Sequence, residues 1–136
     1  MAFYGPFLNP QIIINSVDLS NHVDTVTIDY TVADIDTTTF GQVAKTRVGG
    51  LQDNKLTIEF VQDFALASVD QTLYPLIGSL VSFNIKPLNA ATSSINPAYT
   101  GNVLITEYKP LDGKVGDLLK TSQTWPLSGT ITRATS

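Results

Sequence analysis

The sequence predicts a mainly β domain: a β-sandwich or partly open barrel of about six to seven strands, with one short helix and a long inter-strand loop. Three observations predict it. Apolar residues alternate at period two in most segments, one segment alone has helical spacing, and turn-forming residues separate the runs. The 136 residues fit a single domain over 1–136, and a 43% hydrophobic share is enough for one core.

The first strands follow in chain order. Residues 11–14 form a short β-branched run that ends at a turn. Residues 23–30 and 56–61 alternate between apolar and polar side chains, and residues 81–85 repeat this alternation. Residues 102–108 are predicted to form a further strand.

The chain closes with two more predicted strands. They span residues 121–125 and 128–133, and Pro126 separates them as a bend or bulge. Trp125, the only tryptophan, lies in this alternating pattern. Its position predicts a core or sheet-packing aromatic side chain, with a ligand platform as the alternative.

One segment breaks the period of two. In residues 68–78, apolar side chains recur at helical spacing, and Ser68 is a candidate N-cap. Pro75 lies inside this segment, where it removes one backbone hydrogen bond. We therefore expect a short helix that kinks or ends near Tyr74.

Two stretches lack any period. Residues 31–54 connect two strands that would otherwise form a hairpin, and loops of this length are usually functional or disordered. They hold more apolar side chains than a solvated linker carries, and these would need something to pack on: Val32, Ile35, Phe40, Val43, Val48 and Leu51. Residues 87–101, rich in Ala, Thr, Ser, Asn and Pro, are predicted to be a surface loop.

Charge is scarce and uneven. Charged residues make up 15% of the chain against roughly 25% in an ordinary domain, which predicts a neutral polar surface. Residues 1–44 contain five aspartates and no Lys or Arg. This is either a solvated acidic edge or a surface that meets Lys45 and Arg47 of a neighbouring copy. The net charge of −4 argues against a basic nucleic-acid-binding patch.

No residue set predicts catalysis, a cofactor or a metal. The absence of cysteine excludes thiolate chemistry, and the single histidine, His22, excludes a multi-histidine centre within one chain. His22, Asp24 and Ser20 are close in sequence only, which is weak evidence for a nucleophile set. No apolar run is long enough to span a membrane, and residues 1–10 lack the basic residues of a signal peptide.

The order of these segments is similar to that of a known family. It rests on the strand at 23–30, the long loop, the run Gly-Leu-Gln-Asp at 50–53 that leads into the next strand, the helix at 68–78 and the ending at 121–131. Together they resemble the tail tube (major tail) proteins of long, non-contractile-tailed bacteriophages, over roughly residues 11–135. The same β-fold is shared by contractile-tail tubes and tail terminators.

The resemblance implies a structural virion protein and no enzyme. Its copies would self-assemble into stacked hexameric rings that form the phage tail tube, a conduit for DNA ejection. Implied partners are other copies of the chain, the tape measure protein and the tail terminator, while DNA passes without specific binding. The protein would be made in the host cytoplasm and located in the virion.

The resemblance also implies contact residues. Residues 31–54 would reach an adjacent ring, and the N-terminal arm, residues 1–10, would contact another copy. Open strand edges at residues 23–30 and 102–108 would be closed by neighbouring subunits. The expected inter-subunit contacts are Phe3, Tyr4, Phe7, Ile35, Phe40, Val43, Lys45, Arg47 and Val48. An acidic lumen would repel phosphate and let DNA slide. Its candidates, chosen by strand parity, are Asp29, Glu59 and Glu107.

Two other classes of function stay open. One is a capsid decoration (minor capsid) protein or a head-to-tail connector on a related β-fold. The other is a monomeric carbohydrate-binding β-module with Trp125 or Tyr99 as its platform. The loop at residues 31–54 discriminates, because it should be mobile in a monomeric module and should order on assembly in a tube subunit.

Overall fold

The structure is a computed structural model that describes residues 10–66 and 68–135. Within this part of the chain, nine strands, one α-helix and two short 3₁₀ turns follow one another. The strands are β1 (Gln11–Ile14), β2 (Val17–Asp18), β3 (Val23–Asp29), β4 (Val32–Asp36), β5 (Arg47–Gln52), β6 (Lys55–Val61), β7 (Leu80–Lys86), β8 (Ala98–Leu104) and β9 (Lys120–Ala134). Helix α1 is Val69–Leu73, and the 3₁₀ turns are Ser20–His22 and Tyr74–Leu76.

Seven strands form one antiparallel sheet in the order β2-β1-β7-β8-β9-β6-β3. The sheet curls into a half-barrel, which confirms the predicted fold class. Among the described residues β3 lies at one edge of the sheet, and there the open edge expected at residues 23–30 is confirmed. The edge expected at residues 102–108 is wrong, because the strand there is β8, which ends at Leu104 and lies between β7 and β9.

The 15-residue strand β9 joins the two halves of the sheet. Its first part pairs with β6, from Lys120 opposite Val61 to Pro126 opposite Lys55. Its last part pairs with β8, and a register shift there places Gly129, at φ +89°, in a bulge. The two closing strands expected around Pro126 are therefore one continuous strand that changes partner at the proline.

The core lies inside the curl. Alternation turns Leu56, Ile58 and Phe60 of β6 inward, and Ile12, Phe83 and Trp125 do the same on their strands. Trp125 is fully buried beside Phe60, with ring centroids 6.5 Å apart, and its Nε1 donates to the Glu107 carbonyl at 2.8 Å. The core role expected for Trp125 is confirmed, and its burial removes it as a ligand platform.

Helix α1 is short, as expected. It ends at Leu73 and passes into the 3₁₀ turn that begins at Tyr74. Pro75 has no backbone N–H, and it lies in the first turn of the 3₁₀ segment, where that N–H is not needed for a hydrogen bond. Ser68 occupies the N-cap position, but its hydroxyl makes no capping bond. It donates instead to Asp63 Oδ2 at 2.9 Å, so this side chain ties the helix to the preceding loop.

The surface loop expected at residues 87–101 is shorter than predicted, because β8 begins at Ala98. Asn96 is buried beneath the loop and shapes it. Its Oδ1 accepts from Leu88 N at 3.0 Å, and its Nδ2 donates to the carbonyls of Leu88 and Ala90. Neutral polar residues thus form ordered structure here through one buried amide.

Gln123 generates a stability prediction. Its side chain lies on the core face of β9, and its Oε1 is buried without a hydrogen-bond partner. Gln123→Met removes that unsatisfied acceptor at similar volume, so the free energy of unfolding should rise or stay within about 1 kcal/mol. Gln123→Glu should instead destabilise the protein by about 2 kcal/mol or more, because it buries a charge. Urea denaturation measures both, and a strongly destabilised Gln123→Met variant would contradict the assignment.

Candidate assembly surfaces

The long connection between β3 and β6 is a β-hairpin. β4 pairs with β5, with Ile35 opposite Val48 and Asp36 opposite Arg47. β3 and β6 themselves pair antiparallel, so the expectation that residues 31–54 interrupt a hairpin is confirmed. Residues 31–54 therefore contain two strands, although their sequence shows no alternation of apolar and polar residues. These strands are exposed on both faces, so no alternation is required.

The base of this β4–β5 hairpin is fixed by Asn54. The buried Asn54 side chain accepts from Thr31 N at 3.1 Å, and its main-chain carbonyl accepts from Leu127 N at 2.9 Å. Asp53 N donates to the Thr31 carbonyl at 3.1 Å. These bonds tie the hairpin to β9, so its direction is defined even though its sides are not covered.

The apolar side chains of the hairpin are exposed. Residues 31–49 are all exposed, and Phe40 and Val43 at the tip are fully so. Gly50 leaves room for Ile35, because a Cβ at that glycine would stand 2.8 Å from Ile35 Cδ1. Several large apolar side chains exposed on one projecting element are typical of an interaction surface.

The two basic residues predicted to meet another copy differ. The Arg47 guanidinium pairs with Asp34 across the hairpin. The acidic partner expected on a neighbouring copy is therefore present within its own chain, and the pair stiffens the hairpin. Lys45 makes no ion pair with any described residue. Near the tip, the hydroxyl and N–H of Thr38 lower the pKa of Asp36 by hydrogen bonding to its carboxylate.

The candidate lumen residues lie on one polar surface. Asp29 of β3 stands opposite Lys55, and Glu59 of β6 stands opposite Thr25, all on the face that points away from the core. Glu107 is not in a strand, so the parity argument for it is wrong. Its Oε1 nevertheless reaches this sheet, because it accepts from Thr124 N of β9 at 3.0 Å.

This surface is mixed in charge rather than purely acidic. Lys120 donates to Asp24 Oδ2 at 3.0 Å, and this contact raises the pKa of Lys120, with Glu59 adding to it. Thr57 and Thr124 meet across the strands with their hydroxyl oxygens 3.2 Å apart. We name this outward surface of the three strands the β3–β6–β9 face.

A second exposed apolar surface was missed by sequence reasoning. It comprises residues 62–66 and 110–118, which we name the loop end. Gln62 joins its two segments, donating through its main-chain N to the Leu119 carbonyl at 3.0 Å and through Nε2 to the Pro110 carbonyl at 2.8 Å. Its exposed apolar side chains are Phe64, Leu66, Leu111, Val115 and Leu118. The sequence signal was weak, because the apolar residues in these two segments follow no period.

Tyr108 fastens this loop end to α1. Its hydroxyl donates to Asp70 Oδ1 at 2.8 Å and accepts from Gln62 Nε2 at 2.8 Å. Burial is the main cause that raises the pKa of Tyr108 to about 12, and the Asp70 carboxylate adds to it. One phenol therefore connects three segments.

The sequence neighbours His22, Asp24 and Ser20 do not form a site. Asp24 turns to Lys120, and Ser20 Oγ turns to Asp18. His22 instead joins a different cluster, in which its Nε2 lies 3.1 Å from Ser68 Oγ and Ser68 Oγ lies 2.9 Å from Asp63 Oδ2. The Ala65 N–H and the Ser68 hydroxyl lower the pKa of Asp63 by hydrogen bonding to its carboxylate. Asp63 thus holds the loop before α1 in place.

Tyr99 is half-buried, and it lines a shallow crevice with Val26 and Ile28 of β3 and with Ile85 and Pro87. Lys86 is the one charged residue in this lining, which is otherwise made of apolar side chains and the Tyr99 ring. Phe3, Tyr4 and Phe7, the expected contacts of the N-terminal arm, lie outside the described residues.

Membrane-spanning helices and metal-binding clusters are both absent from the described residues. No helix there is long and apolar enough to cross a membrane. No group of three or more His, Asp or Glu side chains is arranged to hold a metal ion in that part of the chain.

Comparisons with solved structures return phage-like particles. A chain described as "Virion of native gene transfer agent (GTA) particle" matches with a TM-score of 0.74 at 12% identity, over 93% of this chain and 95% of that chain. "Tail of empty GTA particle computed with helical refinement, C6 symmetry" gives 0.62 at 13% identity, over 82% and 81%. "Cryo-EM structure of the anti-feeding prophage (AFP) baseplate, 6-fold symmetrised" gives 0.53 at 10% identity, over 98% and 97%.

At these identities the likeness concerns the fold. The chain shares its architecture, nearly end to end, with subunits of a virion, a tail and a baseplate. No protein-family model and no curated protein matches it.

Tyr108 gives a pH-dependent prediction. Because its pKa is higher in the folded protein than the value near 10 of an unfolded chain, its stabilising effect is complete below about pH 10 and is lost as pH rises through about 12. Tyr108→Phe should cost about 1 kcal/mol of unfolding free energy at neutral pH. The difference from wild type should shrink between pH 10 and 12, as measured by urea denaturation. Tyr74→Phe, at an exposed tyrosine, is the control, and an equal loss there would refute the assignment.

Proposed function

We propose that this chain is a structural virion protein of a phage-type tail, and that its copies form stacked, hexameric rings of a tail tube, a conduit for DNA ejection. The observation that carries the proposal is the β4–β5 hairpin, which projects exposed apolar side chains away from its own core. The fold's likeness to chains of virion, tail and baseplate particles supports it.

The hairpin supplies the contact between rings in this proposal. Ile35 and Val48 on its strands and Phe40 and Val43 at its tip bury apolar surface against the adjacent ring. Lys45 pairs with a carboxylate of the other copy, while Arg47 holds the hairpin straight through Asp34. Phe3, Tyr4 and Phe7 of the N-terminal arm contact another copy as well.

Contacts within a ring use the free edge of β3. An exposed edge strand leaves a row of backbone donors and acceptors unpaired, and a neighbouring subunit's sheet satisfies them. The β3–β6–β9 face then lines the lumen. Asp29, Glu59 and Glu107 give it a negative potential that repels the phosphates of passing DNA.

The proposed role is structural and involves no enzymatic step. The partners are further copies of the chain, the tape measure protein within the lumen and the tail terminator at the end of the tube. The protein is made in the host cytoplasm and functions in the virion. A monomeric carbohydrate-binding role has lost its principal residue, because Trp125 is fully buried.

Negative-stain electron microscopy over a concentration series tests the proposal. Long hollow tubes with six-fold rings are the expected product. Shells or isolated trimers would favour a capsid decoration or connector protein instead. A strictly monomeric particle that binds sugar saturably would overturn both virion roles.

A deletion tests the role of the hairpin. Removing residues 34–48 should leave the fold intact, because this segment contributes no buried side chain to the core, yet it should block polymerisation. Circular dichroism and thermal unfolding check the fold, and electron microscopy checks assembly.

A double substitution at the hairpin tip tests the same role without removing the hairpin. Phe40→Ser combined with Val43→Ser should change the unfolding free energy by less than about 0.5 kcal/mol, since both side chains are exposed, and should still impair assembly. Normal tubes from either variant would show that the hairpin is not the contact between rings.

A further inference from the structure

The topology places two exposed apolar surfaces at opposite ends of one sheet. β3 and β6 run antiparallel, and the β4–β5 hairpin leaves where Asp29 stands opposite Lys55. The loop end leaves where Val61 stands opposite Lys120, at the other end of β6. The seven residues of β6 separate these points by about 20 Å.

The two surfaces differ in shape and in attachment. The hairpin is a two-stranded projection whose tip, residues 37–46, carries Phe40 and Val43 fully exposed. The loop end is a broader surface built on the sheet through Gln62 and Tyr108, and Leu66 and Val115 are among its most exposed side chains. The two surfaces lie at opposite ends of β6, so within one chain they cannot bury each other's apolar side chains.

Their charges are complementary. Lys45 is the only charged residue in the tip, residues 37–46. The loop end contains Asp63, Asp112, Asp117 and Lys114, which gives it net negative charge. Lys114 pairs with Asp117 at 3.7 Å, and Asp63 accepts hydrogen bonds from Ala65 N at 3.0 Å and Ser68 Oγ at 2.9 Å, whereas Asp112 has no ion-pair partner among the described residues. Asp112 is thus the available carboxylate for a cation that arrives from outside.

We propose that the hairpin tip of one copy docks on the loop end of the next copy, with Phe40 and Val43 against Leu111 and Val115 and with Lys45 paired to Asp112. This inference rests on the proposed function and names the surface that accepts the hairpin. Because the two surfaces are different and lie at opposite ends, the contact is heterologous. It propagates in one direction and gives a tube whose two ends are not equivalent.

Cross-linking tests the contact directly, because the chain has no cysteine of its own. Val43→Cys and Val115→Cys are made as separate proteins, mixed under assembly conditions and treated with a short bifunctional maleimide. Covalent dimers should form from the mixture and not from either protein alone. A protein that carries both substitutions should give a ladder of long oligomers.

Ser94→Cys is the matched control, since this serine is exposed in the loop between β7 and β8. If tubes form but Val43→Cys cross-links to Ser94→Cys, or to neither Ser94→Cys nor Val115→Cys, this contact is overturned. The proposed tube function would then still stand. Absence of any assembly, by contrast, would overturn the proposed function as well.

A charge exchange gives a second measurement that needs no cysteine. Lys45→Glu places like charges together and should raise the critical concentration for assembly about fivefold, as expected for one exposed ion pair. Adding Asp112→Lys to the same chain should restore assembly. If the double variant assembles no better than Lys45→Glu alone, Lys45 does not pair with Asp112.

Discussion

The pairing of one long strand with two partners holds the rest of this structure in place. The first part of β9 hydrogen-bonds to β6 and its last part to β8, so the two halves of the sheet share a strand and cannot separate. The bulge at Gly129 supplies the change of direction that curls the sheet. Trp125 lies on the core side of that strand, and its burial against Phe60 fills the curl. The same strand anchors the hairpin through Asn54 and, through Thr124, receives Glu107.

The hairpin follows from that arrangement as a separate element. β3 and β6 pair directly, which forces the intervening residues out of the sheet. Outside it they have only each other, so the strands pair, the Arg47–Asp34 contact forms across them and every side chain from 31 to 49 stays exposed. A soluble monomer gains nothing from holding Phe40 and Val43 in water. In the proposed assembly a second copy covers them, and removing their apolar surface from water is then favourable.

The low charge content of the chain fits such a surface. Among the described residues, two ion pairs hold local structure: Arg47 with Asp34 within the hairpin and Lys114 with Asp117 within the loop end. The neutral Thr, Ser and Asn side chains occupy the outward faces of strands, where they can meet another copy without a large cost in desolvation. In the proposed contact, Lys45 and Asp112 supply the ion pair between copies.

The sequence by itself determined the mainly β class, the inward residues of β3, β6 and β7, the short helix ended by Pro75 and the interruption between β3 and β6. These follow from side-chain periodicity and proline chemistry, which are local properties. Tertiary structure alone decided that residues 121–133 are one strand, because the pairing of β9 with two partners overrides the break that Pro126 suggested. It also decided that Arg47 finds Asp34, that Glu107 reaches Thr124 from outside any strand, and that Leu111 and Val115 share an end with Phe64. Each of these joins residues that are distant in sequence or lack a period, and only the folded chain brings them together.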